Sequence, residues 1–144
     1  MPDDAFVNKL TDFLKEEREK SDTESKRRVL EGETIKAHAP KQWQEVREWV
    51  KSLCDQVNRN SGSEVMTFRI TPNKELIVDI KAGSHTRLLQ ATFDEPTNII
   101  SYNSGRSKFT PFVDSAGFGF SDGSNRATIE QMGQTLIRCA TDMR

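Results

Sequence analysis

The chain has little of what usually announces a chemistry. Two cysteines in 144 residues make no disulfide framework. There is no run of 18 apolar residues, so no membrane-spanning helix is expected. The opening MPDDAFVNKL puts acids where a secretory leader needs bases and lacks an apolar stretch, and the protein is read as cytoplasmic. Neither charge sign dominates: 21 Lys and Arg stand against 22 Asp and Glu. That balance argues against a general nucleic-acid coat or an enzyme that steers acidic substrates by its global field. Motifs are equally sparse. The sequence has no C-x-x-C, no H-E-x-x-H and no Walker lysine motif. A G-x-G occurs in Ala116-Gly117-Phe118-Gly119-Phe120, but without the parallel strand before it and the helix with a third glycine after it that a dinucleotide fingerprint needs. It reads as an edge strand or loop whose glycines let another segment approach.

What is present is patterning. Residues 1–144 are read as one domain, in which 1–35 form a charged helical arm or linker and 36–144 a compact body. Phe6, Val7, Leu10, Phe13 and Leu14 follow helical spacing, with Asp3 and Asp4 in the first turn where carboxylates favour the positive end of a helix. From Lys15 to Arg28 no apolar residue occurs and eleven of fourteen are charged. The i,i+4 pairs Glu16–Lys20 and Glu24–Arg28 would carry a helix through that stretch, whereas Ser21-Asp22-Thr23-Glu24-Ser25 could break it into a linker. Pro40 suits a first helical turn, and Trp43, Val46, Val50, Leu53 and Val57 then share one face, with Trp49 and Cys54 at its edges and Asn60-Ser61-Gly62 as the stop.

Strands follow. Met66, Phe68 and Ile70 alternate with polar residues, and Pro72-Asn73-Lys74 turns the chain into Leu76, Val78 and Ile80. Leu89–Phe93 and Ile99–Asn103 are further strands, and 109–113 and 118–120 weaker ones. Thr128 and Gln131 make a T-x-x-Q capping box ahead of Met132, Leu136, Cys139, Ala140 and Met143. The expected class is α+β: N-terminal helices, a four- to six-strand antiparallel meander, and a C-terminal helix packed on the same sheet face as the helix from Pro40.

No residue is assigned a catalytic role, and no metal or cofactor is expected. His38 falls at the expected helix entrance and His85 in a hairpin turn, both read as exposed loop histidines. Asp79 pairs best with Arg69 across the strands. Asp79 with His85 is the combination an enzyme would have to use. Cys54 and Cys139 are read as small core hydrophobes. Arg69, Lys74, Lys81, Arg87, Arg106 and Lys108 face four acids, with Tyr102 and Phe109 among them, too small an excess to favour nucleic acid. The acid-rich front also disfavours a membrane surface. Two functional expectations remain. One is a non-enzymatic interaction or adaptor module that binds a protein partner or a second copy through Phe6, Leu10, Phe13 and Leu14. The other is a small-ligand domain with an apolar pocket lined by Trp43, Trp49, Phe68 and Phe93.

Overall fold

Alternating apolar residues in short runs, each closed by a turn, dictate antiparallel pairing between neighbours in sequence. The computed structural model, which describes residues 3–142, has that meander. A helix α1 (Asp4–Ser61) precedes strands β1 (Met66–Ile70), β2 (Leu76–Ala82), β3 (His85–Asp94), β4 (Ile99–Tyr102), β5 (Ser107–Asp114), β6 (Gly117–Ser121) and β7 (Arg126–Ala127), and helix α2 (Ile129–Thr141) follows. The seven strands lie in one curled antiparallel sheet in sequence order. The strand count therefore exceeds the expected four to six. β7 supplies part of the difference, because two residues carry no alternation to read. The 116–120 glycine segment is β6, an inner strand rather than an edge.

The chain forms two units, Met1–Thr34 and Ile35–Arg144. In the first, helix α1 runs through 15–28 without a break. Glu24 accepts from Arg28 at 3.3 Å and lies 3.9 Å from Arg27, and Arg27 reaches Glu31 at 3.8 Å. Each such exposed pair contributes only about 0.3–0.5 kcal/mol, but several in succession support a helix that has no apolar face there. Of the two alternatives for this stretch the continuous helix is the one formed, and Ser21–Ser25 does not break it.

In the second unit α1 also passes through Pro40, so the helix expected to begin there is already under way. A proline inside a helix removes one hydrogen bond, at about 3 kcal/mol or more. Burial of Ala39, Trp43, Val46, Val50 and Cys54 on one face offsets that loss. Cys54, at the edge of this face by its spacing, is nonetheless buried. His38 lies within the helix, with its ring stacked 6.0 Å from Phe118.

One sheet face carries the core. Leu76, Val78, Ile80, Leu89, Ala91, Ile100, Tyr102, Phe109 and Phe120 are buried with the α1 face and with Met132, Leu136 and Ile137 of α2. The alternate residues, among them Thr67, Arg69, Gln90 and Lys108, are exposed. Helix α2 starts as expected. Thr128 N–H donates to Gln131 Oε1 at 2.9 Å, and Gln131 N–H donates to Thr128 Oγ1 at 3.1 Å. The helices touch at Gln42, whose amide is 4.0 Å from Met132 Sδ, and at Gly133. A Cβ added to Gly133 would lie 2.2 Å from Trp49 Cε3. Cys139 is exposed, a departure from the core position expected of it, because the buried stripe of α2 runs through Leu136 and Ile137 instead. Met143 lies outside the described residues.

Candidate functional site

Two surfaces concentrate unused binding potential. The first is on α1 in the N-terminal unit. Phe6, Val7, Leu10, Phe13 and Leu14 all stand exposed, Phe6 at 62% and Leu14 at 57%. At 100° per residue they span an arc of about 120°, the width of a stripe that normally faces a core. Val29 and Leu30 are exposed further along. Hollows beside Glu16–Arg27 and beside Ser25–Glu33 are lined by α1 side chains alone and so are open grooves along a helix, not cavities.

The second surface lies between α1 and the edge strand β1. Gln44, Arg47, Glu48 and Lys51 from α1 and Phe68 and Ile70 from β1 enclose a cleft of about 260 Å³. Arg47 stands 5.7 Å over the Trp43 ring, and its Nε is shielded from solvent with no hydrogen-bond partner. Burial pulls its pKa below the ordinary arginine value, with Glu48 opposing. Gln44 donates to Glu48 at 3.2 Å.

The expected pocket residues do not gather around one space. Trp43 is 1% exposed, parallel to Phe93 at 6.4 Å, and its indole N–H donates to the Lys74 carbonyl at 3.2 Å. Lys74 has φ +62°, so the left-handed turn residue presents that carbonyl to the helix. Trp49 lies over Gly133, on the α2 side. Phe68 lines the β1 cleft. The cleft beside Trp43 and Phe93 holds only about 130 Å³.

Titratable groups are dispersed. Asp79 meets Arg69 at 3.6 Å, as expected. His85 pairs with Ala82 and Asp79 with Leu88 in the β2–β3 ladder. Directly paired residues share a face and faces alternate, so Asp79 and His85 project from opposite sides of the sheet. Cys54 is held to its neutral thiol, with a pKa pushed up to about 11 by burial and then by Asp55. Tyr102 and Phe109 stack at 4.8 Å within the core and offer no platform for bases. Among the described residues no three His, Cys, Asp or Glu side chains gather as a metal site, and no helix is long and apolar enough to cross a membrane.

One cluster went unread in sequence. Arg126 donates to the carbonyls of Phe118 at 2.6 Å and Gly117 at 3.2 Å, pairs with Asp114, and lies 4.7 Å over Phe112. It crosses Gly119, where a Cβ would fall 2.2 Å from the guanidinium, which explains the glycine. The close approach expected of this segment is therefore made by a side chain of β7. Its guanidinium donates to Asp114 of β5 and to the Gly117 and Phe118 carbonyls of β6, which makes it a clamp on the β5–β6–β7 corner. No family model, curated protein or solved structure matches this chain.

Proposed function

We propose that the protein is a non-enzymatic interaction module that associates through the apolar stripe Phe6, Leu10, Phe13 and Leu14, with Val7 beside them, and that its occupant is a second copy of the chain. The observation that carries this reading is the exposure of five large apolar side chains within nine residues of one helix. Isolated exposed apolar residues need no explanation, but a contiguous patch marks a contact surface. Each of the five side chains is roughly half exposed, and with about 100 Å² from each Phe and slightly less from Val and Leu one copy offers on the order of 500 Å². A pair that covered both stripes completely would bury about 1,000 Å², the threshold for a biological interface and just under the roughly 1,200 Å² where stable ones begin.

Charge gives the reading a sign. Residues 3–24 hold eight acids and four bases. Two copies meeting there repel, and salt weakens that repulsion. Self-association therefore tightens as ionic strength rises, whereas a basic partner would bind less tightly. The test replaces Phe6, Leu10, Phe13 and Leu14 with serine and follows molar mass by light scattering across concentration, at low and high salt. The parent chain is expected above its one-chain mass of 16.4 kDa and the variant at its own one-chain mass. A parent chain that stays at one-chain mass throughout refutes self-association.

The small-ligand alternative rests on the clefts beside Phe68 and Phe93. Their volumes, about 260 and 130 Å³, lie below the ~300–1,000 Å³ of ordinary ligand sites. It is the weaker reading.

A further inference from the structure

Strand β1 is the outer strand of the sheet, and its register decides which backbone groups are free. Lys81 N–H donates to the Val65 carbonyl at 2.8 Å, and Thr71 N–H to the Glu75 carbonyl at 3.0 Å. Hydrogen-bonded pairs alternate along an antiparallel ladder. Thr67 with Asp79 and Arg69 with Ile77 are therefore also bonded pairs. Met66, Phe68 and Ile70 then point their N–H and C=O groups away from β2. At Met66 both groups are satisfied by one side chain. Asn58 Nδ2 donates to its carbonyl and Asn58 Oδ1 accepts from its N–H, each at 2.9 Å, and the same oxygen accepts from Val65 N–H. The asparagine stands where a neighbouring strand would bond. Beyond it, Phe68 and Ile70 border the cleft that Gln44, Arg47, Glu48 and Lys51 line from the helix side. Ile70 is 44% exposed.

We infer that the β1 edge accepts an extended acidic peptide segment as an eighth strand, bonded to the backbone of Phe68 and Ile70, with a carboxylate directed at Arg47 and Lys51. Strand addition supplies affinity through main-chain bonds and specificity through the side-chain cleft beside them. Arg47 and Lys51 both line the cleft from the helix side and present charged donors that a carboxylate would meet. Glu48 accepts from Gln44 in the same cleft, so the lining keeps one cation in excess, Arg47 and Lys51 against Glu48. A second copy of β1 fits less well. Two-fold pairing through Phe68 and Ile70 would set Arg69 opposite Arg69, and like charges directly opposite destabilise a sheet. The site is separate from the helical stripe and stands without it.

The probe is a library of blocked seven-residue peptides that alternate Val, Ile or Phe with Asp or Glu, compared with a lysine-containing counterpart. Binding is read by amide hydrogen exchange of the full-length chain. The expected result is slowed exchange at Phe68 and Ile70 with Thr67 and Arg69 unchanged, and at least tenfold weaker binding in Arg47→Gln and Lys51→Gln. Ile70→Pro removes one edge donor and should weaken binding further. If that variant fails to fold, the exchange pattern of the parent chain still decides. Absence of binding, binding without protection of Phe68 and Ile70, or preference for the lysine peptides overturns the inference.

Discussion

Replacing Gly133 with alanine should reverse the usual effect of that change. Alanine in place of a glycine inside a helix ordinarily gains about 1 kcal/mol. Gly133 is buried within α2, and its missing Cβ is where the Trp49 ring sits. An added methyl would lie 2.2 Å from Cε3 and 2.4 Å from Cζ3 of the indole, against a comfortable contact of about 3.5–4.0 Å. Overpacking of this kind costs about 1–3 kcal/mol, and an overlap with two ring atoms belongs at the upper end. Net of the propensity gain, Gly133→Ala should destabilise the C-terminal unit by about 1–2 kcal/mol. A loss of 1 kcal/mol lowers Tm by roughly 4–8 °C in a unit of about this size. Urea unfolding followed by tryptophan fluorescence reads the change, with far-UV dichroism as a second probe. In a Trp49→Leu background the same alanine should become neutral or stabilising, because the ring it would strike is gone. Gly32, with nothing within 4 Å of its added Cβ, is the control, and alanine there should only strengthen the helix. A higher urea midpoint for Gly133→Ala in the otherwise unchanged chain would refute the packing argument.

Other changes have calculable outcomes. Thr128→Ala removes the hydroxyl that accepts from Gln131 N–H and should cost about 1 kcal/mol in the same urea assay. Iodoacetamide should modify exposed Cys139 in the native chain and leave Cys54 untouched until unfolding, since burial raises the Cys54 pKa to about 11. Asp122 is held below the ordinary carboxylate range by the backbone N–H groups of Asn125 and Ser124. A depressed folded pKa stabilises above the unfolded value and loses that effect as pH falls through the folded one. The stability difference between the parent chain and Asp122→Ala should therefore shrink on acidification below the usual carboxylate range, as thermal melts across pH would show.

Much of the fold was legible because one face of the sheet is buried. The alternation at 66–70, 76–80 and 89–93 therefore survives in the sequence as a period of two, and the α2 cap as T-x-x-Q. Pro40 misled because its two roles, opening a helix and interrupting one, look alike locally. Only the burial of Ala39 and Trp43 on either side selects the second. The 15–28 stretch was undecidable for the opposite reason: a helix held by exposed ion pairs has no periodic signal. Gly133, Asn58 and Arg126 were invisible because each is explained by a partner distant in sequence or on another element. For the candidate site, the stripe at 6–14 could be read as helical but not as exposed, since exposure depends on what the rest of the chain leaves uncovered. The β1 cleft required the strand register, which fixes the outward backbone of Phe68 and Ile70.

The claim that the stripe meets a second copy is tested most directly by placing p-benzoyl-phenylalanine at Phe13 and irradiating the full-length chain in solution. The expected result is a cross-linked product of two chains, about twice the 16.4 kDa of one, with the adduct mapped by mass spectrometry to residues 6–14 of the other copy. Adducts confined to the same chain, or between copies but outside that segment, would contradict it.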